Sequence, residues 1–102
     1  MIDRIKINEE RLDNISIVVK ELEEVLSKFE NLKESFDLLN EYYGSSEWFA
    51  DKESLETCKI ENVKAGVLSE DAVWNLIVDV KELSIKMNSI SNEILVDSDN
   101  KD

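Results

Sequence analysis

The residues most able to do chemistry sit around one reversal of the chain, Tyr42-Tyr43-Gly44-Ser45-Ser46-Glu47-Trp48, with Asp51 just beyond it and Ser69-Glu70-Asp71 further on. Two phenols, an indole and three carboxylates could line a ligand site or rim a protein-binding surface, because aromatic rings supply apolar area with a polar tip. Tyr42, Tyr43, Trp48, Asp51, Glu70 and Asp71 are therefore the candidate partner-binding residues. The plainer expectation is aromatic packing where helices meet, with Trp48 seated on the end of the first helix near Tyr43.

Other chemistry is largely excluded by composition. The chain has no histidine, so Ser-His and Cys-His nucleophile pairs, His-based zinc sites and Glu-x-x-His di-iron sites are not open to it. Its two glycines, Gly44 and Gly66, are too far apart for a phosphate loop. Asp97, Asp99 and Asp102 lack the central glycine and distal glutamate of a calcium loop. Glu30 and Glu34 lie one helical turn apart and read as solvated surface acids. Cys58 is alone, which precludes an internal disulfide, suits a reducing compartment and reads as a small apolar residue near a helix end. No catalytic residue, metal site or cofactor is expected, and the chain is not expected to be an enzyme.

The elements that position the corner follow from periodicity and punctuation. At 102 residues, with 42% hydrophobic and 35% charged residues and no proline, the chain suits one domain built of long, uninterrupted helices. Over residues 3–43, Ile15, Leu22, Phe29, Phe36 and Tyr43 recur every seven positions, flanked first by Leu12, Val19 and Leu26 and later by Val25, Leu32 and Leu39. That spacing predicts a helix with an apolar stripe, roughly 60 Å long at about 1.5 Å per residue. The β-branched run Ile15–Val19 disfavours helix locally, and a kink near Asp13-Asn14 is the alternative there.

Gly44 then fits the left-handed position past a helix end, and Ser45 or Ser46 caps a second helix over residues 47–58. Trp48, Phe49 and Leu55 are the expected buried side of that helix. Residues 60–67 connect it to a third helix, capped by Ser69 with Glu70 and Asp71 in its first turn and running to about Val96. Within it Val73, Leu76, Val80, Leu83, Met87, Ile90 and Ile94 alternate three and four apart, the seam of helix-on-helix packing. The expected fold is an all-α, three-helix antiparallel bundle with two long helices and a short middle one. A single helical domain over residues 1–96 precedes a disordered acidic tail, 97–102. The third helix is the shorter of the long pair, so Ile2, Ile5 and Ile7 would overhang it, and residues 1–12 are the expected surface for a homodimer.

Charge narrows the partners. The net charge of −12 is spread along the chain, 11 acids against 6 bases in residues 1–43, 5 against 3 in 44–68 and 8 against 3 in 69–102. Such a field opposes nucleic acid and anionic membranes and admits a basic protein partner. No apolar run approaches a membrane span and the first ten residues lack a signal-peptide core, so a cytoplasmic location is expected.

Two stretches carry a family resemblance: Tyr42-Tyr43-Gly44-Ser45-x-x-Trp48-x-x-Asp51, and Gly66-Val67-Leu68-Ser69-Glu70-Asp71-Ala72-Val73. Over most of its length the chain resembles domain-of-unknown-function family 4298, small bacterial proteins with a long helix, a Tyr-Tyr-Gly corner and a Gly-Val-Leu-Ser-Glu-Asp segment before the last helix. It departs at Ala65, where a basic residue is usual, and at Glu61, where proline is common; losing the basic residue weakens any anion site near Gly66. The resemblance implies a helical bacterial protein and no particular activity. The functional expectation is a non-enzymatic protein-binding module, such as an immunity- or antitoxin-like inhibitor or an escort. The alternatives are a small enzyme or ligand-binding domain centred on the aromatic corner, and a self-associating structural module.

Overall fold

The computed structural model describes residues 1–58 and 64–99. Among these residues it is all-α, with three helices, α1 (Ile2–Tyr42), α2 (Ser46–Cys58) and α3 (Ala72–Asp99), and a 3₁₀ turn at Gly66–Leu68. No β-strand occurs among the described residues. α1 is continuous through Asp13-Asn14, because the helical spacing on both sides outweighs the weak propensity of Ile15–Val19. α3 extends through Asp99, past the expected end near Val96. The expected connector falls partly outside the described residues, as do Glu61, the Cys58 side chain and the tail beyond Asp99.

The chain divides into two compact units, Met1–Asp37 and Leu38–Asp102. In the first, α1 carries its apolar residues without burying any of them. Ile2, Ile5, Ile15, Val18, Leu22, Val25, Phe29 and Leu32 are all exposed. Its side-chain ties are local, with Asn8 Nδ2 donating to the Arg4 carbonyl at 2.7 Å and Arg11 donating to Asn8 Oδ1 at 3.3 Å. Helix propensity and backbone hydrogen bonds hold this unit, and both are modest sources of stability for a helix without a packing partner.

The second unit has a small core. Trp48 and Val73 are buried, each only 4% exposed. The 3₁₀ turn lies between α2 and α3 and packs against both. From Val73 the seam of α3 emerges quickly: Ile77, Val78 and Val80 are half-buried, whereas Leu76, Leu83, Met87, Ile90 and Ile94 are exposed. Neither long apolar stripe is covered inside its own unit. The extended packing that the three-four spacing predicts is therefore not what holds either unit together.

Candidate functional site

The corner begins with a backbone conformation few residues adopt. Gly44 has φ of 77°, the left-handed region in which a side chain is strained, and it ends α1 as the sequence predicts. Ser45 is the cap. Its Oγ accepts from the Trp48 backbone N–H at 3.2 Å and donates to the Tyr42 carbonyl at 2.6 Å, tying the end of α1 to the start of α2. This fixes Trp48 on the first turn of α2, aimed into the unit.

Trp48 is held on several sides. Its Nε1–H donates to the Val67 carbonyl at 2.9 Å, so the buried indole keeps a polar partner in the 3₁₀ turn. Tyr43 meets its ring edge-to-face at 5.3 Å between centroids, and Phe49 does so at 4.9 Å. Lys52 lies one turn along α2, with its ammonium 5.2 Å from the indole centroid and 3.5 Å from Glu70 Oε1. Glu70 is exposed, so this ion pair contributes little.

Both tyrosines reach across the sequence. Tyr42 Oη donates to Asp51 Oδ2 at 2.6 Å, and Tyr43 Oη donates to the Glu70 carbonyl at 2.8 Å. The Tyr42 phenol is pushed above its ordinary value, first by its hydrogen bond to Asp51, then by partial burial, then by the negative charges of Asp51 and Glu47. Its proton is thereby retained in alkali. A surface cleft of ≈ 300 Å³ opens beside this pair, with Ser54, Leu55, Lys64 and Val67 among its lining residues.

The start of α3 differs from expectation in detail. Ser69 Oγ accepts from the Ala72 N–H at 3.2 Å and donates to the Gly66 carbonyl at 2.8 Å, so it caps α3 as expected. Glu70 and Asp71 lie in the turn before the helix and not within its first turn. The Asp71 carbonyl accepts the Asn75 N–H at 2.8 Å. Phe49, expected inside, is 60% exposed because it stands on the outer flank of Trp48, while Leu55 is half-buried.

Of the six candidate residues, Tyr43, Trp48 and Glu70 share one set of contacts, Tyr42 and Asp51 form a separate hydrogen-bonded pair that meets the first set through Ser45, and Asp71 serves through its backbone. Lys52 joins the site with no sequence signal beyond its place four residues after Trp48, which puts both on one helix face. The Val67 carbonyl leaves no side-chain signature to read. Among the described residues no group of three or more Cys, Asp or Glu side chains is arranged to hold a metal ion, and no helix is long and apolar enough to cross a membrane.

No curated protein and no solved structure matches the chain. The family model described as Domain of unknown function (DUF4298) matches residues 5–90, a span that includes the Tyr-Tyr-Gly corner, the Trp48 contacts and the cap of α3, and the chain belongs to that family.

Proposed function

We propose that the protein is a recognition module that binds a basic, amphipathic helical segment of a partner protein along α3, and so inhibits or escorts that partner without transforming it. The observation that carries this reading is the stripe Leu76, Leu83, Met87, Ile90 and Ile94, between 42% and 59% exposed. An apolar helix stripe is a standard receptor for a second helix, and Met87 adds a side chain that adapts to irregular surfaces. Asp79, Glu82, Glu93, Asp97 and Asp99 on the same helix outnumber Lys81 and Lys86, and the whole chain carries −12. Such a field favours cationic flanks and speeds their approach. Inhibitors of the immunity-protein and antitoxin kind fit this chemistry, with the bacterial cytoplasm as the setting.

The test uses two labelled helical peptides with one apolar face, flanked in one case by Lys and Arg and in the other by Glu. The cationic peptide is expected to bind, with an association rate that falls as salt rises, since screening acts over about 10 Å at 0.1 M. Leu83→Asp should weaken binding at least tenfold. Equal binding of the two peptides, or binding of neither, overturns the reading.

The cleft beside Tyr42 favours a second reading, a small-ligand site. Its volume of ≈ 300 Å³ is at the lower end for such sites, and Asp51 faces it already engaged by Tyr42. Turnover of a small molecule that Asp51→Asn or Glu70→Gln abolishes would establish this reading in place of the first.

A further inference from the structure

From the exposed stripe of α1 we infer that the first unit is an antiparallel self-recognition element, in which residues 15–32 of one copy pack against residues 15–32 of a second copy. This surface is distinct from α3, and the inference stands or falls separately from the partner reading. Ile15, Val18, Leu22, Val25, Phe29 and Leu32 continue three and four apart without interruption, and each is between 42% and 62% exposed. That is the pattern of a coiled-coil seam with Ile15, Leu22 and Phe29 at one core position and Val18, Val25 and Leu32 at the other.

Direction and register follow from what flanks the seam. On one side lie Val19 and Leu26, which widen the apolar stripe, followed by Lys33. On the other lie Asn14, Glu21, Lys28 and Ser35. A parallel, in-register pair would bring Lys28 against Lys33 of the second copy and stack Phe29 on its own equivalent. An antiparallel pair instead sets Glu21 against Lys28 of the second copy, and the two-fold axis repeats the same attraction on the other side of the centre.

The same antiparallel register sorts the core by size. Ile15 meets Leu32, Val18 meets Phe29 and Leu22 meets Val25, so the bulky ring of Phe29 faces the smallest residue type of the seam. Val19 faces Leu26 on the apolar flank. Glu21 and Lys28 are then offset by about 3 Å along the axis, and their side chains lean toward one another because Cα–Cβ bonds tilt toward each helix's amino terminus. Sliding by one heptad in either direction places Glu21 on Glu21 or Lys28 on Lys28. Like charges therefore penalise both neighbouring registers, and a single alignment remains in which packing and charge agree.

Sedimentation equilibrium of the full chain, from low micromolar to several hundred micromolar, tests this. A reversible dimer is expected. Glu21→Lys and Lys28→Glu should each raise its Kd roughly fivefold to tenfold, and the double variant Glu21→Lys/Lys28→Glu should return to within about threefold of the parent, because the swap restores both pairs. In a parallel dimer Lys28→Glu would instead tighten association by facing Lys33 of the second copy. A monomer at every concentration overturns the inference, as does a dimer that Lys28→Glu leaves unchanged or tightens. Loss of the dimer on removing residues 1–10, with no effect of either charge reversal, would place the interface at residues 1–12 and overturn it equally.

Discussion

The corner of the second unit and the long helix of the first spend their residues in opposite ways. The corner ties sequence-distant positions together with directional contacts: Tyr43 to the Glu70 carbonyl, Trp48 to the Val67 carbonyl and Tyr42 to Asp51. The first unit has a longer apolar stripe than the corner has apolar residues, and it buries none of it. Specific hydrogen bonds can fix a small structure around a single indole. A regular apolar stripe without cover leaves burial as the main favourable term still open to it, and that is what the proposed pairing of two copies would use.

The largest way to break the corner is to remove the indole. Trp48→Ala deletes a nearly fully buried ring, its edge contacts and its bond to Val67, and is expected to destabilise the second unit by about 3–5 kcal/mol. With Val73 as the other buried residue among those described, that loss should abolish cooperative urea unfolding of this unit. Trp48→Phe keeps a ring and removes the hydrogen-bond donor, for a smaller loss of about 1–2 kcal/mol. A loss below about 1 kcal/mol for Trp48→Ala would mean that the corner is not organised by this side chain.

How far the sequence shows these two regions depends on what kind of signal each leaves. Gly44, Ser45 and Ser69 stand at positions whose backbone needs are local, so turn and cap chemistry can be read from residue type alone. The periodicity of α1 and α3 likewise reads directly as helix. Burial does not follow from periodicity, because a seam states which face is apolar and says nothing of what covers it; Leu83 and Ile90 keep perfect spacing and remain exposed. Phe49 is the local version of this gap, since successive positions on α2 point about 100° apart and Trp48 already takes the inward one. Contacts to backbone carbonyls, at Val67 and Glu70, have no residue signature and emerge only from the fold.

A smaller perturbation sharpens the comparison by acting on the backbone of the corner alone. Gly44→Ala places a Cβ on a residue with φ of 77°, where the open space around it removes any clash and leaves only conformational strain. The expected loss is about 1–2 kcal/mol. Thermal unfolding of the variant should show the second unit weakened while helicity from residues 1–37 persists. Equal loss from both units would show that the corner and the helix unfold as one.

The smallest expected effect is a pH dependence confined to Tyr42. Its folded-state proton is held above the ordinary phenol value, chiefly by donation to Asp51. A group whose pKa is raised on folding contributes stability that is fully present below its unfolded value, about 10, and is lost as pH rises through the higher folded value. Ionising the phenol would remove the donor and set a phenolate against the Asp51 carboxylate, with Glu47 adding to the repulsion. Tyr42→Phe has no such proton to lose. The stability advantage of the parent over this variant should therefore be constant from neutral pH to about 10 and shrink above it, as read by urea midpoints of the two proteins across that range. Parallel alkaline profiles would show that the Tyr42–Asp51 bond does not persist in solution, and the corner would then rest on the contacts of Trp48 and Tyr43 and on the Ser45 cap.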